Sequence, residues 1–403
     1  MASGRRLNAC LDLEHDMAAD LEQLGLIDAR SDTDSSRSSS DLNPITLELN
    51  RLLSFQAETP IKAHERDDGP FIKIGEGECG AVFAREGDSF AVKLPRTYEH
   101  AALWNDYVNH ARIARLFDMW EFDEVKIPAC HYFVPADEPR FFKQHPRLGE
   151  AVYQECNLPA SALVTERILP LPKRVRTLLI NKYCAKKMKD QARTDPANRD
   201  CLVRIYLGST QGKTGQHLFS LRNFKMHLNQ IMELQLDVRA LARRVGMALA
   251  LMHWAAKTDA RGVEFVLGSS SKTISLAADP SELWSVRPLK YTGPASGRHD
   301  DLFRRVETTQ LWVLDFNQVR SISVDKEGVA QAVEAAMIND PYIPKPLQES
   351  DDEREVWKAF VLSYLEAAEV ILVGEDEDIL GLPRLFIQGL IDVQKEEQRA
   401  AIS

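Results

Sequence analysis

Residues 75–82 read Gly-Glu-Gly-Glu-Cys-Gly-Ala-Val, and three glycines at that spacing constrain the backbone more than any other stretch of the chain. The spacing serves two unlike structures. In one it closes a strand and opens a helix; in the other it turns a β-hairpin whose main-chain N–H groups face a phosphate. The residues that follow decide between them. Ala81-Val82-Phe83-Ala84 is β-prone and runs into the turn Glu86-Gly87-Asp88, so the chain continues as a strand and a glycine-rich hairpin is expected. Gly75, Gly77 and Gly80 then let the main chain approach an anion closely. Eleven residues beyond Val82, the run Phe90-Ala91-Val92-Lys93 puts a lysine on the next strand.

The surrounding pattern predicts strands at 71–74, 81–84 and 90–94, then a helix over 97–118 with Leu103, Tyr107, Ala111 and Ala114 on one face. Strand-like runs follow at 129–134 and 162–168, so residues 66–170 read as a small antiparallel α+β lobe. From residue 171 the pattern turns helical, at 173–189, 237–256, 327–338, 354–373 and 383–400, with short strands at 262–267 and 311–322. The expected fold class is therefore α+β: a sheet-rich small lobe before a larger helical lobe over 171–403. Residues 269–308, rich in Ser, Pro and Gly, read as a polar insertion, either a lid or a disordered loop. Residues 1–65 read as a mostly disordered N-terminal region with room for one helix. Within it, 31–41 holds six serines, three aspartates and no apolar side chain.

Composition excludes several classes. Fifty Lys and Arg against sixty Asp and Glu leave a net charge of −10, which argues against broad nucleic-acid binding. The six cysteines, at 10, 79, 130, 156, 184 and 201, form no C-x-x-C pair, so neither a disulfide framework nor a zinc finger is expected. With no signal-peptide pattern and no long uncharged apolar run, an intracellular protein is expected, cytoplasmic or nuclear, with no membrane partner.

Two later motifs give the glycine hairpin a chemical context. Thr258-Asp259-Ala260-Arg261-Gly262-Val263-Glu264 leads into an apolar strand, and Trp312-Val313-Leu314-Asp315-Phe316-Asn317 places an aspartate just after another. In this order the motifs resemble those of the protein-kinase-like superfamily, over roughly residues 69–370. The chain is similar, more closely, to a fungal family of unknown function whose members are often labelled zinc finger proteins. The stretches that carry this likeness are Leu103–Tyr107, Glu166–Pro172, Asp259–Gly268, Trp312–Asn317 and Asn339–Pro344.

The kinase resemblance implies a two-lobe fold with ATP and Mg²⁺ between the lobes. Gly75, Gly77 and Gly80 would cover the phosphates, and Lys93 would hold them, steadied by Asp106 on the following helix, with Glu99 as the alternative acid. Val82 and Ala91 would wall the adenine slot, and the strand end Glu166–Ile168 would meet its edge. Asp315 and Glu264 would hold the metal, and Asp259 would orient a substrate hydroxyl. The chain departs from the kinase pattern at Lys257-Thr258, Glu264 and Asn317, and has no A-P-E. Two functions stay open: an ATP-dependent phosphotransferase, or a catalytically inactive pseudokinase serving as a protein-interaction module. A partner surface could be the basic run 173–193, with eight Lys and Arg and one acid, or the acidic segments 351–355 and 375–378. A near-P-loop, Gly208 to Thr214, is one residue short and reads as a polar loop.

Overall fold

Gly75-Glu76-Gly77 continues the strand before it rather than breaking it. In a computed structural model, which describes residues 21–23, 25–27, 43–55, 58–60, 69–77, 80–95, 100–153, 155–156, 158–275 and 303–402, strand β2 runs Ile72–Gly77 and β3 resumes at Gly80 (Gly80–Ala84). Strand β4 is Phe90–Leu94, β5 is Cys130–Val134 and β6 is Ala162–Glu166. These strands form one antiparallel sheet in the order β2-β3-β4-β6-β5. The alternation of the strands sorts its two faces. Ala81, Phe83, Val92, Leu94, Ala162 and Val164 are buried in a small core. Two short helices, Pro139–Gln144 and Pro146–Val152, supply Phe141, Leu148 and Val152 to that same core. The opposite face carries Gly75, Val82 and Lys93 in one cross-strand row, with Ala91 two residues along.

The second sheet has the order β1-β10-β9-β7-β8, from β1 (Glu58–Pro60), β7 (Val203–Tyr206), β8 (Phe224–His227), β9 (Glu264–Ser275) and β10 (Phe303–Leu314). Only β7 and β8 run parallel. Leu267, Phe265, Val313, Leu311, Val203 and Ile205 turn one face into the large core. Helices Val238–Ala250 and Asp351–Ile371 pack along each other in that core. The first is capped by Asp237, whose side chain accepts from the Ala240 N–H, and its buried stripe includes Leu241, Val245 and Ala248. Helix Leu382–Ile402 adds Phe386, Ile387 and Leu390. The described residues thus form a mixed α+β fold with two sheets and two cores.

Two expectations meet a different outcome. The polar insertion begins later than composition suggests: β9 and β10 pair without a break from Glu264↔Leu314 to Ser275↔Phe303, so 269–275 and 303–308 are hairpin arms. Their Val, Ile and Thr residues favour a pleated strand whatever the local polarity. Residues 276–302 lie outside the described residues, as do the serine-rich run 31–41, Glu78, Cys79 and Glu99. The predicted strand over 311–322 stops at Leu314, because Asp315 takes a left-handed φ of 70° that no strand continues. Within 1–65, helix Pro44–Leu53 buries Leu49 and Leu53, and Leu21, Leu26 and Ile27 join the same large core. Trp357 Nε1 donates to the Leu26 carbonyl at 3.0 Å.

Candidate functional site

Helix His100–Met119, here α1, brings an acid to the lysine of β4. Its buried stripe is Leu103, Asp106, His110, Ile113 and Phe117, spaced three and four apart. That stripe is rotated from the expected face, because Asp106 and His110 are polar and hydrophobic periodicity passes over them. Lys93 Nζ donates to Asp106 Oδ2 at 2.5 Å and to Asp315 Oδ1 at 2.6 Å. One ammonium therefore joins three segments: β4, α1 and the residue that ends β10. Burial alone would lower the Lys93 pKa, but the two carboxylates reverse this and hold it well above its ordinary value.

The other oxygen of Asp106 accepts from the Phe316 N–H at 3.2 Å. Asn105 Nδ2 donates to the carbonyls of Asn317 and Val319, at 2.8 and 2.9 Å, and Asn109 Nδ2 reaches the Val319 carbonyl at 3.1 Å. Phe316 is fully buried, its ring 5.0 Å from that of His110. His110 Nε2 donates to the Pro128 carbonyl at 2.6 Å, and burial holds its pKa below the ordinary value. Asn105 and Asn109 were not among the predicted site residues. The sequence signal that could have found them is a trio of short polar side chains, Asn105, Asp106 and Asn109, on a helix that must also pack.

The glycine hairpin lies against this cluster. A Cβ built on Gly77 would stand 4.0 Å from Asp315 Oδ2, whereas one on Gly80 would stand 2.2 Å from the Leu94 carbonyl oxygen. Gly80 is thus required by the close approach of β4, while a Cβ on Gly77 would meet no described atom closer than Asp315 Oδ2. Two side chains from the large body grip the hairpin's first strand. Arg222 Nη2 donates to the Lys73 carbonyl at 2.9 Å, and Asn223 Nδ2 to that of Glu76 at 3.5 Å.

Glu264 sits opposite Leu314 in the register, one residue from Asp315. Its carboxylate pairs with Arg204 at 2.7 Å, and each side chain is 19% exposed. Burial pushes the Glu264 carboxyl up to about 7, outweighing the pull of Arg204; the Asp315 charge adds to the rise and Lys93 opposes it. Arg204 was not anticipated, because no motif singled out a residue of β7. At the strand end, Glu166 exchanges bonds with Ala129: the Glu166 N–H donates to the Ala129 carbonyl at 2.7 Å, and Glu166 Oε2 accepts from the Ala129 N–H at 2.9 Å. The Arg167 N–H is spent on Ser89. Ile168 packs over Gly268, where any Cβ would stand 2.5 Å from its Cγ2.

Asp259 is placed differently from the other predicted residues. Its side chain is fully buried and accepts from the main-chain N–H of Arg261 and of Arg320, from Arg320 Nε at 2.6 Å and from Gln331 Nε2 at 3.1 Å. Both oxygens are saturated, so the carboxylate ties the loop at 259–261 to the segment after Asp315. It is not in the group that Lys93 draws together. Arg320 also reaches Glu334, which pairs with Arg261.

The basic run at 173–193 forms helix Lys173–Tyr183 and then breaks at extended Cys184. Three of its cations pair with acids other than those at 351–355 and 375–378. Arg174 pairs with Glu48 at 2.6 Å, Lys182 with Glu233 at 2.8 Å, and Arg193 with Asp190 at 2.5 Å. Among the described residues, no helix is long and apolar enough to cross a membrane.

No curated protein and no solved structure matches the chain. Among the described residues, no group of three or more His, Cys, Asp and Glu side chains is placed to hold a metal ion, and Cys130, Cys156, Cys184 and Cys201 are separate free thiols. That donor set does not fit a structural zinc, which takes four ligands. Residues 311–376, from β10 through Asp315 into helix Asp351–Ile371, match the DUF3669 family, described as zinc finger protein, so the likeness bears on the Asp315 segment.

Proposed function

We propose that the chain binds a nucleoside triphosphate with Mg²⁺ on a kinase-like two-lobe fold, in the cleft beneath the glycine hairpin. The observation that carries this reading is the bridging of Asp106 and Asp315 by Lys93 Nζ, at 2.5 and 2.6 Å. A strand lysine paired with a helix acid, beside an aspartate that ends an apolar strand, is the arrangement that positions phosphates and their metal in kinases. The antiparallel order β2-β3-β4-β6-β5, with a helix between β4 and β5, suits the same comparison.

The residues fit the ligand. Lys93 would hold phosphate oxygens, and the main chain at Gly75 and Gly77 would approach them. Val82 and Ala91 share the Lys93 face of the sheet and would flank the base. The main chain at Ile168 makes no hydrogen bond among the described residues, so its N–H and carbonyl are there for a base edge. Asp315 Oδ2 is the oxygen turned towards Gly77 and would ligate Mg²⁺. When bound, Mg²⁺ would offset phosphate charge.

A second reading, binding without turnover, is favoured by Asp259. Phosphoryl transfer to a hydroxyl needs a carboxylate within reach of it. Asp259 already accepts four hydrogen bonds in a fully buried position. The chain then serves as a nucleotide-dependent interaction module. Thermal unfolding with ATP, with and without Mg²⁺, on the wild type and Lys93→Ala, tests nucleotide binding. Ligand at 100 times its Kd stabilises a fold by about 2.7 kcal/mol. A Mg²⁺-dependent shift lost in Lys93→Ala supports binding, and no shift at millimolar ATP refutes it. Transfer of labelled γ-phosphate to any acceptor would refute the silent reading.

A further inference from the structure

A nucleotide cleft of this kind ordinarily offers carboxylates and amides to two divalent cations. Here the position five residues after Asp259 is Glu264, and a guanidinium already occupies its oxygen: Arg204 Nη2 lies 2.7 Å from Glu264 Oε1. Arg204 is fixed by the sheet. It stands opposite Val266 on β9, so the register puts it on the same face as Glu264, two residues back along that strand. On β10, Trp312 is the other neighbour of Val266, and this face is turned away from the large core. A guanidinium keeps its charge at every working pH.

We propose that Arg204 is a built-in second cation, so that this cleft takes its nucleotide with a single divalent ion, held at Asp315, while Glu264 serves as the counter-ion of Arg204 and not as a metal ligand. The inference rests on the nucleotide-binding reading above and specifies its metal stoichiometry. Two observations carry it. Removing Glu264 to a metal would leave the Arg204 charge unpaired in a setting where both side chains are four-fifths buried. Arg204 also keeps a buried Nε–H that makes no hydrogen bond, a donor left over for an anionic oxygen beside the pair.

The test counts metal ions without relying on turnover. The full chain is saturated with a non-hydrolysable ATP analogue and titrated with Mn²⁺, free Mn²⁺ being read by electron paramagnetic resonance and bound nucleotide by equilibrium dialysis. The wild type is expected to hold one Mn²⁺ per bound nucleotide. Arg204→Gln is expected to hold two, and Arg204→Lys, which keeps the charge, to stay at one. Two Mn²⁺ in the wild type would overturn the assignment while leaving the nucleotide reading intact, and so would a folded Arg204→Gln that still binds one. The wild-type count needs no variant, so a misfolded Arg204→Gln does not remove the test. Absence of nucleotide binding by the wild type would overturn the nucleotide reading itself, and this inference with it.

Discussion

Replacing Lys93 with Met would leave two carboxylates where one ammonium now lies between them. Oxygens of Asp106 and Asp315 both touch Lys93 Nζ, at 2.5 and 2.6 Å. They are therefore within about 5 Å of each other, and two unit charges at that distance repel by ~3 kcal/mol at an effective dielectric constant of about 20. Removing one partner from a buried ion pair costs about 3–5 kcal/mol. The two figures agree, and Lys93→Met is expected to lose about 3–5 kcal/mol at pH 7. The assay is urea unfolding followed by both tryptophan fluorescence and far-UV circular dichroism, with wild type and variant compared at each pH. At pH 5 the gap is expected to narrow, because crowded carboxylates retain a shared proton. Adding Asp106→Asn to the variant removes one of the two charges and is expected to restore about 2 kcal/mol, a coupling that distant sites do not show. A Lys93→Met within ~1 kcal/mol of wild type at pH 7, or a gap that does not narrow on acidification, would refute this account of the cluster.

Asp259→Asn is expected to lower stability by about 2–3 kcal/mol, since an amide cannot accept all the donors that the carboxylate does. Nucleotide affinity should stay at the wild-type value; a stable variant with lost affinity or lost transfer would return Asp259 to the site. Gly80→Ala should destabilise by up to about 3 kcal/mol through its clash with the Leu94 carbonyl, whereas Gly77→Ala should change stability by less than ~1 kcal/mol yet weaken nucleotide binding. Thermal unfolding beside a nucleotide titration separates the two, and equal stability losses would contradict the contrast drawn from the hairpin. Glu264→Gln tests linkage. In the folded chain this carboxyl is pushed up to about 7, so between pH 4.5 and 7 the folded state holds a proton that the unfolded state has shed. Glu264 therefore adds stability below its unfolded pKa and loses it as pH rises through the folded one. The stability of Glu264→Gln minus that of wild type should climb with pH across this window, by at most about 1.4 kcal/mol per pH unit. A flat difference would mean the carboxyl titrates normally. His253, pushed down to about 4 by burial, acts in both proteins alike and cancels from the comparison.

Lys93, Asp315 and the glycine hairpin could be read from the sequence because each sits in a short stretch whose neighbours announce a strand. Asp106 was found by its distance from Lys93 along the chain, and not by the helix pattern. The face expected from Leu103, Tyr107, Ala111 and Ala114 has only Leu103 in the buried stripe, because that stripe spends two of its places on Asp106 and His110. Asp259 shows what local spacing leaves out. Its local spacing resembles a catalytic loop, but the residue that saturates it, Arg320, is 61 positions away, and no local pattern reports so distant a partner. Composition misled over 269–275 and 303–308, where Ser, Thr and Lys read as loop. Pairing between two such arms satisfies the backbone regardless of how polar the side chains are. The helices at 139–152 were missed for want of length, since six or seven residues hold too little periodicity to register.

The bonds around Lys93 also say which part of the cleft is free to move. Helix α1 holds the main chain after Asp315 by four hydrogen bonds: the Phe316 N–H to Asp106, two from Asn105 and one from Asn109. Lys93 then ties β4 to both, so strand, helix and the 315–319 segment form one unit, and no single bond releases α1. Among the described residues, Arg222 and Asn223 bond the hairpin's first strand from the large body, the second at 3.5 Å and through a side-chain amide. A bond that long is near the limit of what counts as one. Local opening follows the weakest set of contacts. A ligand entering above Asp315 is therefore expected to displace the hairpin and the Arg222–Asn223 grip while α1 stays where it is. Amide exchange would show this as rapid exchange at 75–77 beside protection across the buried length of α1. On the proposed nucleotide-binding reading, the acidic side is preorganised and the glycine side adjustable, so that the main chain at 75–77 would close on the phosphates as they arrive.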